Sequence, residues 1–326
     1  MAKLNLQSGE NSSMVIKKRT VRGLSVRLVG VHATAATATA NTDFDLSKVR
    51  IKATLERGKA QYVLCNERLD ILAMDSAFDT ADFDFVAVGS TTRIIFLAQT
   101  AGVKEVAMIP AEVDFGGHIN LRKDDEITVE VFPSAGVFGA NLDQTNSRVE
   151  VDWKESVGIE QYVPLIRTQF LKPAESDVEL SLGDNVATCR IINTDKTAVL
   201  EAQAVIDNVS VSTDRFSMTT DYRDLMQKRI KLYPNVVDAQ KRLQSFELLE
   251  GSDFDNVNIK LKTIAGNVAA SKTCIVYRTL YVDRTIAELA DVTQRGHAVK
   301  RMRKIGIGID DNEASLRKAQ LITEFR

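Results

Sequence analysis

Proline is scarce in this chain of 326 residues: there are five, alongside seventeen glycines. That scarcity weighs slightly against a β-chain crowded with tight turns and leaves α/β alternatives open at this point. Cysteine is scarcer still. Cys65, Cys189 and Cys274 are odd in number and far apart, and each sits in or beside an apolar run. They exclude a disulfide framework and predict buried thiols in a protein made in a reducing cytoplasm. No apolar stretch approaches the roughly 20 residues a membrane-spanning helix needs. The first ten residues lack the apolar centre of a secretory signal, so neither export by that route nor integral membrane placement is expected. A formal net charge of -2 opposes nucleic-acid binding by the surface as a whole, and no sequence-specific nucleic acid is expected as a partner.

Catalytic patterns are missing too. His32, His118 and His297 lie far apart with no second ligand at helical spacing. There is no HExxH, no GxxxxGK[ST] and no GxSxG, and Gly306-Ile-Gly308 lacks the third glycine of a dinucleotide loop. A triad assembled from distant residues would leave no such mark. No catalytic residue, cofactor or metal is predicted, and the chain is not expected to be an enzyme. Asp75, Asp79, Asp82 and Asp84 crowd together, with Asp253 and Asp255 as a smaller group. Ca²⁺ asks for six to eight oxygens. The spacing matches no known calcium loop and no glycine marks a sharp turn, so solvated loops are predicted.

What is present is repetition. Val49–Leu64 reads as a hairpin and runs into a helical segment, Asn66–Asp75. Val205–Met218 and Thr220–Arg229 repeat that plan, with Asp70-Ile71-Leu72 and Asp224-Leu225-Met226 in the same place. A second pair agrees: Leu121–Val131 and Leu249–Leu261 are each a polar turn opening a strand of strict alternation. Strand signals recur every 8–15 residues across the chain, which favours a sandwich or barrel. Further strands are predicted at 24–32, 82–88, 92–98, 105–109, 118–121, 126–132, 148–153, 177–182, 186–193, 197–204, 207–212, 244–249, 256–263 and 273–281, and further helix near 235–243. Residues 1–13 read as polar and mobile, 33–40 and 134–146 as loops, and 155–175, with Pro164 and Pro173, as the crossing between halves.

Two basic clusters stand near the ends: Lys17, Lys18, Arg19 and Arg22, and Arg295, Lys300, Arg301, Arg303 and Lys304. Each Lys or Arg near an anionic surface contributes about 1 kcal/mol, so peripheral contact with anionic lipid is expected of them. Residues 311–325 read as a terminal helix, with Leu316, Leu321 or Ile322, and Phe325 on one stripe. That stripe is expected to close on a neighbouring subunit.

The duplicated strand-turn-strand-helix units, Val49–Asp75 and Val205–Arg229, with the strands 126–132 and 256–263, resemble the major capsid proteins of tailless icosahedral viruses with an internal membrane. This is the double jelly-roll family of corticovirus, tectivirus and finnlakevirus subunits. The resemblance implies an all-β fold of two tandem jelly-roll β-sandwiches with short helical insertions and a C-terminal helix. The parts would be a basic arm over 1–22, a first jelly roll over 23–160, a second over 161–284, and a basic segment with helix over 285–326. It also implies a homotrimer of near-hexagonal outline that tiles a shell with neighbouring trimers around a membrane. Vertex or penton proteins and internal membrane proteins would be its partners. Such a protein is made in the host cytoplasm and resides in the virion. A receptor- or glycan-binding spike built on β-sandwiches is the alternative, opposed by a single tryptophan and 6% aromatic content.

Overall fold

A computed structural model describes residues 4–32, 39–80, 83, 85, 91, 93–100, 102–157, 162–173, 175–195, 203–232, 244–250, 254–264 and 266–282. The N-terminal half contributes β1 (Leu4–Leu6), β2 (Ser12–Lys17), β3 (Thr20–Val31), β4 (Val49–Arg57), β5 (Ala60–Arg68), helix α1 (Leu69–Thr80), β6 (Ile94–Thr100), β7 (Val103–Met108), β8 (Val113–Asn120), β9 (Glu126–Pro133) and β10 (Arg148–Glu155). The C-terminal half contributes β11 (Tyr162–Phe170), β12 (Asp177–Gly183), β13 (Val186–Asn193), β14 (Ile206–Ser212), β15 (Ser217–Asp221), helix α2 (Tyr222–Leu232), β16 (Phe246–Leu249), β17 (Val257–Thr263) and β18 (Thr273–Val282).

The strands form because apolar side chains alternate with polar ones, so one face of each sheet can be buried. In β9, Ile127, Val129 and Val131 are fully buried while Glu126, Thr128 and Glu130 face outward. In β17, Val257, Ile259 and Leu261 do the same. Four antiparallel sheets result. In the second half the orders are β11-β18-β13-β16 and β12-β17-β14-β15. Lettering those eight strands B to I in chain order gives B-I-D-G against C-H-E-F, the jelly-roll order.

The first half repeats it. One sheet is β2-β9-β4-β5 and the other β1-β10-β3-β7-β6, with β8 also on β3. Strand β3 is long enough to serve two partners: β8 pairs with Thr20–Leu24 and β7 with Leu28–Val31. The crossing is close at Gly23, where a Cβ would stand 2.0 Å from the Val113 carbonyl oxygen. In both halves the helix joins strand F to strand G. The repeats seen in the sequence fall on equivalent elements, the E–F hairpin with its helix and the H strand. All three cysteines are buried.

Two expectations are corrected. Residues 4–17 are strands B and C of the first sandwich rather than part of a free arm, because Leu4, Leu6, Met14 and Ile16 alternate into its core. The segment expected to cross between halves holds β11, strand B of the second sandwich. Pro164 fits there because β11 is an edge strand and needs no ladder donor on its open side. Most of the strands predicted at 82–88 and 197–204, the helix near 235–243 and everything from 283 to 326 lie outside the described residues.

Candidate functional site: a buried charge cluster between the sandwiches

The two sandwiches meet through one continuous apolar contact. The core of the first extends to Val163, Leu165 and Ile166 of β11, Ile192 of β13 and Cys274 and Val276 of β18. Ile166, Ile192, Cys274 and Val276 lie on the outer face of the second B-I-D-G sheet, whose inward residues Cys189, Ile191 and Ile275 belong to a separate core. Tyr62 and Tyr281 meet across the contact at 5.0 Å between ring centres. Arg167 donates to the Val63 carbonyl at 3.0 Å and Arg68 to the Ser271 carbonyl at 2.8 Å.

Helix α1 lies in this contact. It is apolar nearly all round, and Leu69, Ile71, Leu72, Ala73, Met74, Ala77 and Phe78 are buried. A helix of that kind is stable only with protein on every side. Yet Asp75 and Asp79 stand one turn apart on it, and Asp75 is 1% exposed. A buried carboxylate needs a cation with hydrogen bonds. Strands β13 and β18 supply two. Arg190 donates to Asp75 Oδ1 at 2.9 Å, to the Asp75 carbonyl at 2.7 Å, and to Asp79. Arg278 donates to Asp75 Oδ2 at 2.6 Å and to Asp79 Oδ2 at 3.0 Å. The guanidinium of Arg190 also sits over the Phe78 ring, 5.2 Å from its centre.

Two arginines and two aspartates balance. Glu247 of β16, 2.9 Å from Arg190, is the surplus anion. Burial pushes its carboxyl up to about 7, helped by Glu250 and opposed by Arg190. Burial also pushes Asp79 up, but Arg278 and Arg190 outweigh it and hold the carboxyl below its ordinary value. For Arg278, desolvation pulls the other way, and Asp75 and Asp79 prevail to raise it. Gly116 of β8, at φ +96°, leaves room for Arg278: a Cβ there would stand 3.0 Å from the arginine Cδ.

Chemically this is a latch. The carboxylates are filled by arginine donors, which leaves the cluster built to join surfaces rather than to bind a substrate. Burial pushes the Cys65 thiol up to about 12 and raises Cys189 and Cys274 as well, so none is an activated nucleophile. Among the described residues, no group of three or more His, Cys, Asp or Glu is placed to hold a metal, and no helix is long and apolar enough to cross a membrane.

The sequence singled out Asp75 and Asp79, but as part of a solvated loop. The structure corrects this: they lie on a buried helix. Arg190, Arg278 and Glu247 were missed. The signal for them was a charge set in an apolar strand, as in Val186–Asn193 and Thr273–Val282. The first basic cluster falls on the β2–β3 turn and the start of β3, with Lys18 at φ 53°. Lys17 pairs with Glu126 at 2.6 Å, Arg22 with Asp114 at 2.6 Å, and Arg19 with Glu155 while lying over the Trp153 ring. Arg295, Lys300, Arg301, Arg303, Lys304, Leu316, Leu321 and Phe325 lie outside the described residues.

No family model matches the sequence, and no curated protein matches it. Solved structures do. The major capsid protein of Sulfolobus Turreted Icosahedral Virus is 13% identical, with a TM-score of 0.47 over 86% of this chain and 95% of its own. Major capsid protein P2 of bacteriophage PM2 is 12% identical, with a TM-score of 0.43 over 86% and 97%. The mavirus major capsid protein is 7% identical, with a TM-score of 0.31 over 86% of each chain. Those neighbours are viral capsid subunits; this chain, by its own strand orders, is a double jelly-roll protein.

Proposed function

We propose that the chain is a major capsid protein, a structural and non-enzymatic subunit of a virion. Three copies form a capsomer of six sandwiches, and such trimers tile an icosahedral shell around an internal membrane. The observation that carries this reading is the latch between two sandwiches that share the B-I-D-G and C-H-E-F strand orders. A pair of jelly rolls fixed side by side by apolar contact and buried charge is a rigid block suited to tiling. Polar outer faces suit a protein held at high concentration in a shell. Its partners are other copies and neighbouring trimers, with vertex and internal membrane proteins at special positions. The basic segment at 295–304 contacts anionic lipid, whereas the cations near residue 20 are largely answered by their own acids. The test is the mass of the purified protein by light scattering. A chain of 36.0 kDa gives 108 kDa as a trimer, and particles appear on concentration. A chain that stays at 36.0 kDa throughout overturns the reading.

A spike is favoured by one observation: Phe96 is 60% exposed on β6, beside exposed Ile95 and Leu97. Exposed aromatic anchors mark binding surfaces. Binding of a defined glycan by a stable monomer selects that alternative.

A further inference from the structure

Helix α2 belongs to the joint between the sandwiches as much as α1 does. Arg229 is buried, and its guanidinium stands 5.5 Å from the centre of the Phe78 ring and 4.7 Å from that of Phe83. Phe78 therefore carries two cations, since Arg190 lies 5.2 Å from the same centre. Arg229 also donates to the Ser245 carbonyl at 2.7 Å, just ahead of β16. Tyr222 of α2 meets Phe246 of β16 edge to face at 6.2 Å. Helix and strand thus close over the end of α1 as one unit. Between them lies a cavity of about 10 Å³, the room of a single water molecule. Phe78, Leu225 and Phe246 give it apolar walls, the exposed Lys228 stands on its rim, and Glu247 brings a carboxyl to it.

Among the described residues, charges reach Glu247 from every element packed around it. Its side chain is 8% exposed and 2.9 Å from Arg190 of β13, which is already engaged with Asp75 and Asp79 of α1. Arg278 of β18 serves the same two aspartates. Lys228 and Arg229 come from α2. Glu250, just past the end of β16, hydrogen-bonds with Glu247 and adds a like charge. With a proton on Glu247, two arginines balance two aspartates and the cavity stays closed. With the proton gone, Glu247 and Glu250 are adjacent anions beside an apolar wall. A charge in that place needs water or a cation, and the exposed Lys228 marks the side from which either arrives.

We infer that the Glu247 proton is a catch on the joint: while it is bound, α2 and β16 stay closed over Phe78, and its loss admits water to the cavity and lets α2 open. The device acts within one chain, so it goes beyond the capsid reading and does not depend on it. The folded carboxyl titrates at about 7 against an ordinary 4.5. Opening that returns it to water therefore becomes easier as pH rises between those values, by up to about tenfold per unit, and levels off above 7. Asp79, held below its ordinary value, titrates beneath this window.

Hydrogen exchange of the full-length chain tests the inference. It is read at the α2 amides at about pH 5 and pH 8 and corrected for the intrinsic exchange rate at each. Protection of α2 should fall about tenfold or more from the lower pH to the higher, while staying well below that of β9, which marks a local opening rather than unfolding of the whole chain. Glu247→Gln should hold α2 at its acid value at both. Glu250→Gln, a change at an exposed residue, should end the fall at a lower pH by removing the neighbouring anion. Protection that is equal at the two pH values, that falls as steeply in Glu247→Gln, or that tracks β9 throughout overturns the inference. Where Glu247→Gln does not fold, Glu250→Gln decides, and an unmoved pH profile in that variant overturns it.

Discussion

Arg190 is the largest of the fully buried side chains in the described structure, and its cost is met by geometry. Asp75, Asp79 and Glu247 all pair with it and outweigh the like charge of Arg278 nearby, and reaching several acids at once uses the fork that only guanidinium provides. Removing one partner leaves a buried charge unanswered, which typically costs about 3–5 kcal/mol. Asp75→Asn is therefore expected to lower the unfolding free energy from urea denaturation by that much, and Arg190→Lys is expected to destabilise as well, because a point charge cannot serve Asp75 and Asp79 together. Glu247 makes a separate prediction. Its folded carboxyl titrates at about 7 against an ordinary 4.5. Between those values the folded chain holds more protons than the unfolded one, so this group's contribution to stability falls as pH rises through that window. Glu247→Gln should flatten the slope of stability against pH from about 4.5 to 7 in chemical denaturation; an unchanged slope refutes the assignment. Asp79 acts in the other direction, losing its contribution as pH falls through its depressed folded value. None of these pairings was legible in the sequence, since Asp75 and its two arginines stand 115 and 203 residues apart. What was legible, and misread, was an acid pair one turn apart in Leu69–Thr80. In an apolar helix that pattern demands a hidden cation.

Among elements, the most legible were those whose pattern is local. The alternation of β9 and β17 and the twice-seen E–F hairpin with its helix can be read without knowing the partner strand. Strands β1, β2 and β11 were lost because short or proline-bearing edge strands bury few residues and look like loops when read alone. Helix α1 and its cluster depend on β8. Gly116→Val would force a side chain at positive φ against Arg278, and strain of this kind costs on the order of 1–3 kcal/mol. A drop of that size in the denaturation free energy is expected, together with a weakened Asp75→Asn effect in the double variant because the two changes act on one arginine. Strand β6 makes a different prediction. It is the outer strand of its sheet and carries no charge in Ile94–Thr100, and edges of this type pair with other chains unless guarded. Phe96→Lys supplies the guard. It should cut concentration-dependent light scattering while moving the unfolding free energy by only about 0.5 kcal/mol, as a surface change does.

At the scale of the molecule, two sandwiches behave as one body because the last described strand is not at the edge of its sheet. Strand β18 lies between β11 and β13 and carries Arg278 to Asp75. Scanning calorimetry should therefore show one cooperative transition for the wild type and two for a chain with Asp75 and Asp79 both changed to Ala. The position of β18 also sets a clock. At about 5–20 residues per second of synthesis, the 203 residues from Asp75 to Arg278 take roughly 10–40 s to appear. Through that interval α1 has been made but its arginine partners have not all emerged, and the B-I-D-G sheet that will cover it has a gap where β18 belongs. A nascent chain on the ribosome is thus held open by its own topology, unable to present a finished joining surface to its neighbours until β18 has emerged.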